Sequence, residues 1–494
     1  MIEGGTLDPD DWEAARRSFH AAIDGCIDWL RDIREKPVWT ETPAPVRAAL
    51  TGPAPTDPTS LDALVAEFQN DLLPHATGNL HPRFFGWVHG AGNLAGALGE
   101  ALAGFMNANV AGRDHVAIHV ERQVVDWCKT LLGFPATASG LVTTGTSMGT
   151  VIALAVARNE KACADVKRAG LRAAPRRIAV YASSEAHSAI VKACELLGLG
   201  SDALRLVPVD ADLRLSAHHL ANMIAADRAA GWQPAVIVAS AGTVNSGAVD
   251  DIGALSALCT AEGLWLHVDA AFGGLAVLAP EGRAALAAIG AADSVAFDFH
   301  KWLQVPYDAG CVLVRDEAAH RRAFSTRHDY LAPEGRALAG GDPWFCEYGP
   351  EMSRGFRALK VWFTIKAHGL DRLGEVIARN CRQARYLGLA VARSRYLALL
   401  APVSLNIVCF RFVLVGLDPD EVDRLNDDIV VELQRSGIAA PSTTRINGKL
   451  AIRVCLTNHR TSFADLDLLV NEVERIGRSE ALAHEHRACA KVPA

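Results

Sequence analysis

Between about residues 80 and 315 the chain alternates short apolar runs with segments of helical length, and this alternation limits the folds open to it more than any other feature. The strand-like runs cover residues 139–143, 177–181, 204–209, 235–239, 264–268, 294–297 and 311–314. Near-continuous apolar strands separated by helices predict an α/β fold with a mainly parallel, seven-stranded central sheet covered on both faces. Ligands of such sheets bind beyond the carboxyl ends of the strands. His187, Thr243, Asp269 and Lys301 each follow one of these runs, so the topology sends all four to one sheet edge.

Flanking segments have a different pattern. Residues 9–34 read as an amphipathic helix with Phe19, Ile23, Ile27, Leu30 and Ile33 on one stripe, followed by a proline-rich connector and a second helix over 60–73. This predicts an N-terminal helical arm over 1–78, suited to packing on a partner subunit, ahead of a large domain over 79–370. Within the large domain, 316–355 is irregular and rich in Gly, Pro and Arg, as expected of an active-site flap. Helices over 356–368 and 371–394 come next. Strands over 406–413 and 450–456 then flank a helix over 419–436, which predicts a small C-terminal α+β domain over 371–494.

Composition narrows the function classes. With 494 residues, 21% charged and a net charge of −7, the chain has no basic field for nucleic acid. No apolar run reaches membrane-spanning length, and the first residues lack the basic-then-apolar order of a signal peptide. Eleven cysteines stand singly without a C-x-x-C pair, which fits reduced thiols in a cytoplasm rather than a disulfide framework or a zinc site. His115 and His119 share a helix face at i, i+4 but have no third ligand nearby, so no metal is expected. Gly90-Ala-Gly92-Asn-Leu-Ala-Gly96 mimics a dinucleotide fingerprint. Its third glycine comes one residue late, and no acidic residue follows at the required distance.

The chemistry centres on Lys301, set between two apolar runs. A sheltered amine is a usable nucleophile, and the Schiff base of pyridoxal phosphate (PLP) requires one, with a carboxylate facing the ring nitrogen. Asp269, at the end of His267-Val-Asp269-Ala-Ala271, suits that partner; in isolation it would read equally well as a helix cap. His187 opens a helix after a strand and could stack on a flat ring or simply cap the helix. Thr143-Thr-Gly145-Thr146-Ser147-Met-Gly149 joins a strand to a helix start, where N–H groups and hydroxyls suit a phosphate.

These residues carry a resemblance. The chain resembles the group II PLP-dependent decarboxylases, relatives of aromatic-L-amino-acid and glutamate decarboxylases. It does so through His81-Pro-Arg-Phe-Phe85, Glu185-Ala-His187, His267-Val-Asp269-Ala-Ala271, His300-Lys301-Trp-Leu and Arg354-Gly-Phe-Arg. The resemblance implies the type I, aspartate-aminotransferase-like fold and a cytoplasmic homodimer with active sites at the subunit interface. The implied activity is decarboxylation of an L-amino acid to its amine and CO2, through a Lys301 Schiff base and a quinonoid intermediate.

It further implies that Asp269 pairs with the ring nitrogen, His187 stacks on the ring, and Thr243 and Ala271 lie beside it. Thr146 and Ser147 would hold the phosphate near Asp298 and His300. Phe84, Arg113 and Arg453 would meet the substrate, with Arg83, His89 and His115 nearby. Cationic residues there would favour an acidic substrate, whereas Phe84, Phe85 and Trp87 would favour an aromatic one.

Two departures stand out. Asp298 replaces the asparagine common in relatives, and an anion beside a phosphate repels, so Asp298 should point elsewhere or act through water. In the flap, Phe345 falls where relatives carry a proton-donating tyrosine, with Tyr348 three residues on as the substitute acid. A phenylalanine there also leaves open oxygen-dependent aldehyde formation, or a catalytically silent binding protein of the same fold.

Overall fold

The computed structural model describes residues 5–326, 336–341 and 343–489, with side chains described as far as residue 480. Part of the expected flap, 327–335 and 342, lies outside the described residues.

The central sheet has seven strands: β1 (Ser139–Thr143), β2 (Ile178–Ser183), β3 (Leu204–Val207), β4 (Gln233–Ser240), β5 (Trp265–Asp269), β6 (Ser294–Asp298) and β7 (Gly310–Val314). Their order is β1-β7-β6-β5-β4-β2-β3. Every neighbouring pair is parallel except the two made by β7, which runs antiparallel to β1 and β6. All residues of β1, β2, β5, β6 and β7 are buried. Sheet coverage on both faces therefore accounts for the unbroken apolar runs in the sequence.

Because β7 is reversed, its first residue, Gly310, pairs with the last residues of both β1 and β6, Thr143 and Asp298. This brings the chain back to the carboxyl edge where the candidate residues gather. Glycine is required there: a Cβ on Gly310 would lie 2.6 Å from Gly145 Cα and 2.8 Å from Asp298 Oδ1.

A second, antiparallel sheet has the order β10-β11-β9-β8, with β8 at Leu397–Leu399, β9 at Ile407–Phe412, β10 at Ser442–Ile446 and β11 at Lys449–Cys455. The helix Pro419–Arg435 covers it, and Phe410, Phe412, Leu425, Ile429 and Leu433 form its separate core. The sequence reading missed β10, although a signal was present. Asn447-Gly448 joins β10 to β11 with both residues at positive φ, 50° and 78°, the conformation of a two-residue hairpin turn.

Residues 83–85, expected in the large domain, pair with this second sheet. Phe85 N–H donates to Ala440 O (2.9 Å), Ala440 N–H to Arg83 O (3.0 Å) and Cys455 N–H to Phe85 O (2.9 Å). Phe85 is fully buried in the second core.

The N-terminal helix Trp12–Arg31 is amphipathic as expected, yet Phe19, Ile23 and Ile27 are exposed. The helices over 356–368 and 371–394 appear as one span, Ala358–Arg393, interrupted at Gly369 (φ 72°). Among the described residues no helix is long and apolar enough to cross a membrane.

Candidate active site

The carboxyl edge opens into a cavity of about 500 Å³, within the range of small-molecule and cofactor sites. Its walls bring together Lys301, Asp269, His187, Thr243, Ala271, His300, Thr146 and Ser147. These are all the residues expected to meet PLP.

Asp298, the last residue of β6, organises one side. Its Oδ1 accepts the Thr146 N–H at 2.6 Å, and its Oδ2 pairs with Lys301 Nζ at 2.9 Å. The carboxylate thus caps the helix Thr146–Lys161 and anchors the lysine, whose side chain is 22% exposed. The sequence predicts that Asp298 points away from the phosphate region or acts through water; the structure instead bonds it directly to the helix start and to Lys301, where the lysine charge offsets its own. The N–H groups of Ser147 and Met148 remain in the first turn without intrahelical acceptors, a consequence of helix geometry.

Asp269 ends β5 at the other side and is only 7% exposed. Burial raises its pKa, and the nearby Lys301 and His187 oppose that rise. Its Oδ1 accepts the Ala271 N–H at 3.1 Å, which fixes the carboxylate. His187 also lines the cavity, with Nδ1 accepting the Ala189 N–H at 3.1 Å. Thr243 is oriented by its hydroxyl contact with Ser246 (3.0 Å). Burial lowers the pKa of His300, whose ring packs 4.3 Å from Tyr307.

This donor set fits PLP. A helix start offers two free N–H groups, the Ser147 hydroxyl and the buried, unpartnered Thr146 Oγ1 for a phosphate. A buried carboxylate stands ready for a ring nitrogen, and an amine lines the same cavity as both.

The remaining expectations need correction within the single chain. Tyr348 does not line the cavity: it is 4% exposed in the core, and its phenol donates to Glu317 at 2.5 Å. His320 Nε2–H donates to its carbonyl at 2.7 Å and holds it there. Phe345 is likewise buried, beneath the Arg354 guanidinium, so the aldehyde alternative gains no support from its position.

Phe84 stands behind the wall, stacked on His89 at 5.7 Å, because its segment follows the second sheet. Arg113 is exposed, its guanidinium 5.8 Å from the Trp344 ring and outside the cavity lining. Arg83 Nε donates to Ile438 O at 2.7 Å. Arg453 does not line the cavity wall. It is buried, and it donates to Trp87 O (2.8 Å) and Asn245 O (3.1 Å). His115 and His119 turn to Asn109 O and Asp114, and no metal-ligating group of three or more exists among the described residues.

Tyr307 was missed. It lies in the short return from Lys301 to β7, and a loop that must pass the site between two site-forming strands was the available signal. Burial and the Asp298 charge push its phenol pKa up. Together Trp87, His89, Phe272 and Tyr307 give the cavity an aromatic wall. Gly90 allows this wall to close on the lysine segment, since a Cβ there would lie 2.1 Å from His300 O.

Residues 43–413 match the pyridoxal-dependent decarboxylase conserved domain. The chain is 31% identical to the aromatic-L-amino-acid decarboxylase of Bacillus atrophaeus over 96% of its own length and 97% of the relative's. Oryza sativa TDC, solved with PLP and tryptamine, superimposes with a TM-score of 0.88 at 25% identity, covering 96% of this chain and all of that one. Catharanthus roseus tryptophan decarboxylase in complex with L-tryptophan gives 0.85 at 26% identity, with the same coverage of both chains.

The fold is therefore the type I PLP fold, and the chain belongs to the pyridoxal-dependent decarboxylase family. It is a PLP-dependent carboxy-lyase acting on an amino acid.

Proposed function

We propose that the enzyme decarboxylates an aromatic L-amino acid to its amine. One observation carries this choice over an acidic substrate: among the described residues no arginine lines the cavity, while Trp87, His89, Phe272 and Tyr307 do. A side-chain carboxylate would find no guanidinium there, whereas a flat ring gains burial and ring–ring contacts. The relatives named for aromatic amino acids, and the neighbour solved with L-tryptophan, support the same reading.

When bound, PLP supplies a conjugated ring that accepts the electron pair freed as the Cα–carboxylate bond breaks. Lys301 Nζ is the amine that would hold its carbonyl carbon. Asp269 would keep a proton on the ring nitrogen, an electrostatic contribution aimed at the charge that develops during bond breaking. His187 would cover one face, with Thr243 and Ala271 beside the ring. Thr146, Ser147 and their helix start would hold the phosphate, and His300 supports that side. Tyr307, its phenol pKa held above the ordinary value, is a phenol able to donate a proton inside the cavity. Arg453 acts as a positioning residue for Trp87.

We assign a homodimer on the exposed apolar side chains of the arm and of the helix Leu94–Met106, among them Phe19, Ile23, Leu98 and Phe105. The three-part division at 1–78, 79–370 and 371–494 and a cytoplasmic setting complete this reading. The test is amine release from L-tryptophan, L-tyrosine and L-phenylalanine against L-glutamate and L-aspartate. Preference for either acidic substrate would overturn the aromatic assignment.

A further inference from the structure

A second cavity, of about 690 Å³, shares no lining residue with the Lys301 cavity. Arg372, Arg379, Arg382, Arg460, His368 and His459 line it, opposed among the described residues by one carboxylate, Glu375. The basic groups are poorly compensated. Arg460 donates to two neutral carbonyls, Leu80 O at 3.4 Å and Ala91 O at 3.2 Å, and burial pulls its pKa down to about 10. Arg379 donates to His459 O, while its buried Nε has no partner. Arg382 reaches Glu281 only at 3.9 Å, and that carboxylate pairs more closely with Arg385 at 3.0 Å. Among the described residues Arg372 has no ion pair, and its charge bears on His368. His459 is held neutral by burial first, then by Arg460, Arg379 and His368.

So many guanidinium groups around one concavity, without matching carboxylates, form a site waiting for negative charge. Planar guanidinium forks recognise phosphate and carboxylate oxygens in pairs. The volume and the apolar flank of Leu30, Leu94, Leu373 and Val376 leave room for an organic body. We propose that this cavity is a binding site for a small organic dianion, a phosphate ester or a dicarboxylate, separate from the catalytic site. Gln304 also lines it, three residues after Lys301. Its side chain accepts the Ala91 N–H (2.9 Å) and donates to Thr457 O (2.7 Å). A ligand here would therefore rest on the segment that carries the lysine. The inference is independent of the aromatic-substrate reading.

Calorimetric titration of the PLP-loaded enzyme with glycerol 3-phosphate, and separately with succinate, tests it. The expected result is one site per chain with sub-millimolar affinity for at least one probe; whichever binds tighter identifies the ligand class. Arg372→Gln/Arg379→Gln should weaken binding at least tenfold while the absorption of bound PLP stays unchanged. If that variant fails to fold, Arg372→Gln/Arg382→Gln serves in its place, with the same loss expected. Heats from both probes no larger than those of sodium chloride at equal ionic strength would overturn the proposal. So would undiminished binding in the folded variant, or a crystal structure with a carboxylate of a second copy seated among these arginines.

Discussion

The two ends of the large domain that were expected to supply chemistry differ in how they are built. At the strand ends, Asp269 and Asp298 are terminal residues of neighbouring parallel strands, and Lys301 follows within a few residues, so the sheet itself fixes their positions. Among its described residues the 336–355 stretch has no strand: isolated backbone bonds tie it to residues 110–114, His320 donates to the Tyr348 carbonyl, and side chains hold the rest, Glu347 with Arg321 (3.0 Å), Tyr348 with Glu317 and Arg354 with the buried Glu121. Backbone ladders place the first set. The second depends on isolated long-range contacts, single backbone bonds to residues 110–114 and side-chain pairs, and these draw Phe345 and Tyr348 into the core.

The largest effects should come from the strand ends. Lys301→Ala removes the only lysine among the described residues that line the cavity and is expected to abolish amine formation. Turnover within tenfold of the wild type would break the assignment of the site. Asp269→Asn keeps the shape and removes the charge, and kcat should fall by about 10²–10³, the range seen when one preorganised electrostatic group is lost. PLP should still bind to this variant, and a near-normal kcat would show that the ring nitrogen is served by another group.

The two tyrosines test the comparison directly. Tyr307→Phe should lower kcat by about 10²-fold or more with little change in melting temperature, the range expected for losing a general acid. Tyr348→Phe should do the reverse, costing about 1 kcal/mol of stability for the lost hydrogen bond to Glu317 and leaving kcat largely intact. A collapse of kcat in Tyr348→Phe, without loss of stability, would mean that this phenol reaches a partner subunit's cavity and that its position within one chain is not the working one.

The same contrast explains what was legible in the sequence. Apolar runs bounded by helices give the sheet, and a parallel sheet sends residues after its strands to one edge, so Lys301, Asp269, His187 and Thr243 could be read together. Thr146 and Ser147 were legible because a glycine-rich helix start has a fixed chemistry. Phe84, Arg113 and Arg453 were not. Phe84 and Arg453 depend on how residues 83–85 pair with Ala440 and Cys455, contacts more than 350 positions apart in the chain. Arg113 depends on where the 336–355 stretch comes to rest, since its guanidinium lies over Trp344. Tyr307 was hidden for a different reason: its run, Gln304-Val-Pro-Tyr, has no motif, and only the reversal of β7 brings it past the lysine.

The smallest expected effect is a pH dependence confined to the 336–355 region. His320 is fully buried, with Nδ1 2.8 Å from Ser139 Oγ and Nε2–H donating to Tyr348 O, and burial lowers its pKa to about 4. In the unfolded chain a histidine titrates near 6.5, so below that pH the unfolded state binds a proton that the folded state refuses. Stability from this group is complete above about pH 6.5 and is lost as pH falls toward 4, by at most about 3 kcal/mol for a shift of this size. His81, His267 and His459 are shifted in the same direction, so a global melt at low pH cannot isolate His320. Limited proteolysis can. Cleavage within 336–355 should accelerate between pH 7 and pH 5 in the wild type, and the acceleration should shrink in His320→Gln, which keeps polar contacts but does not titrate. Equal acceleration in both proteins would place the acid sensitivity at the other buried histidines, and with it the weaker half of the large domain.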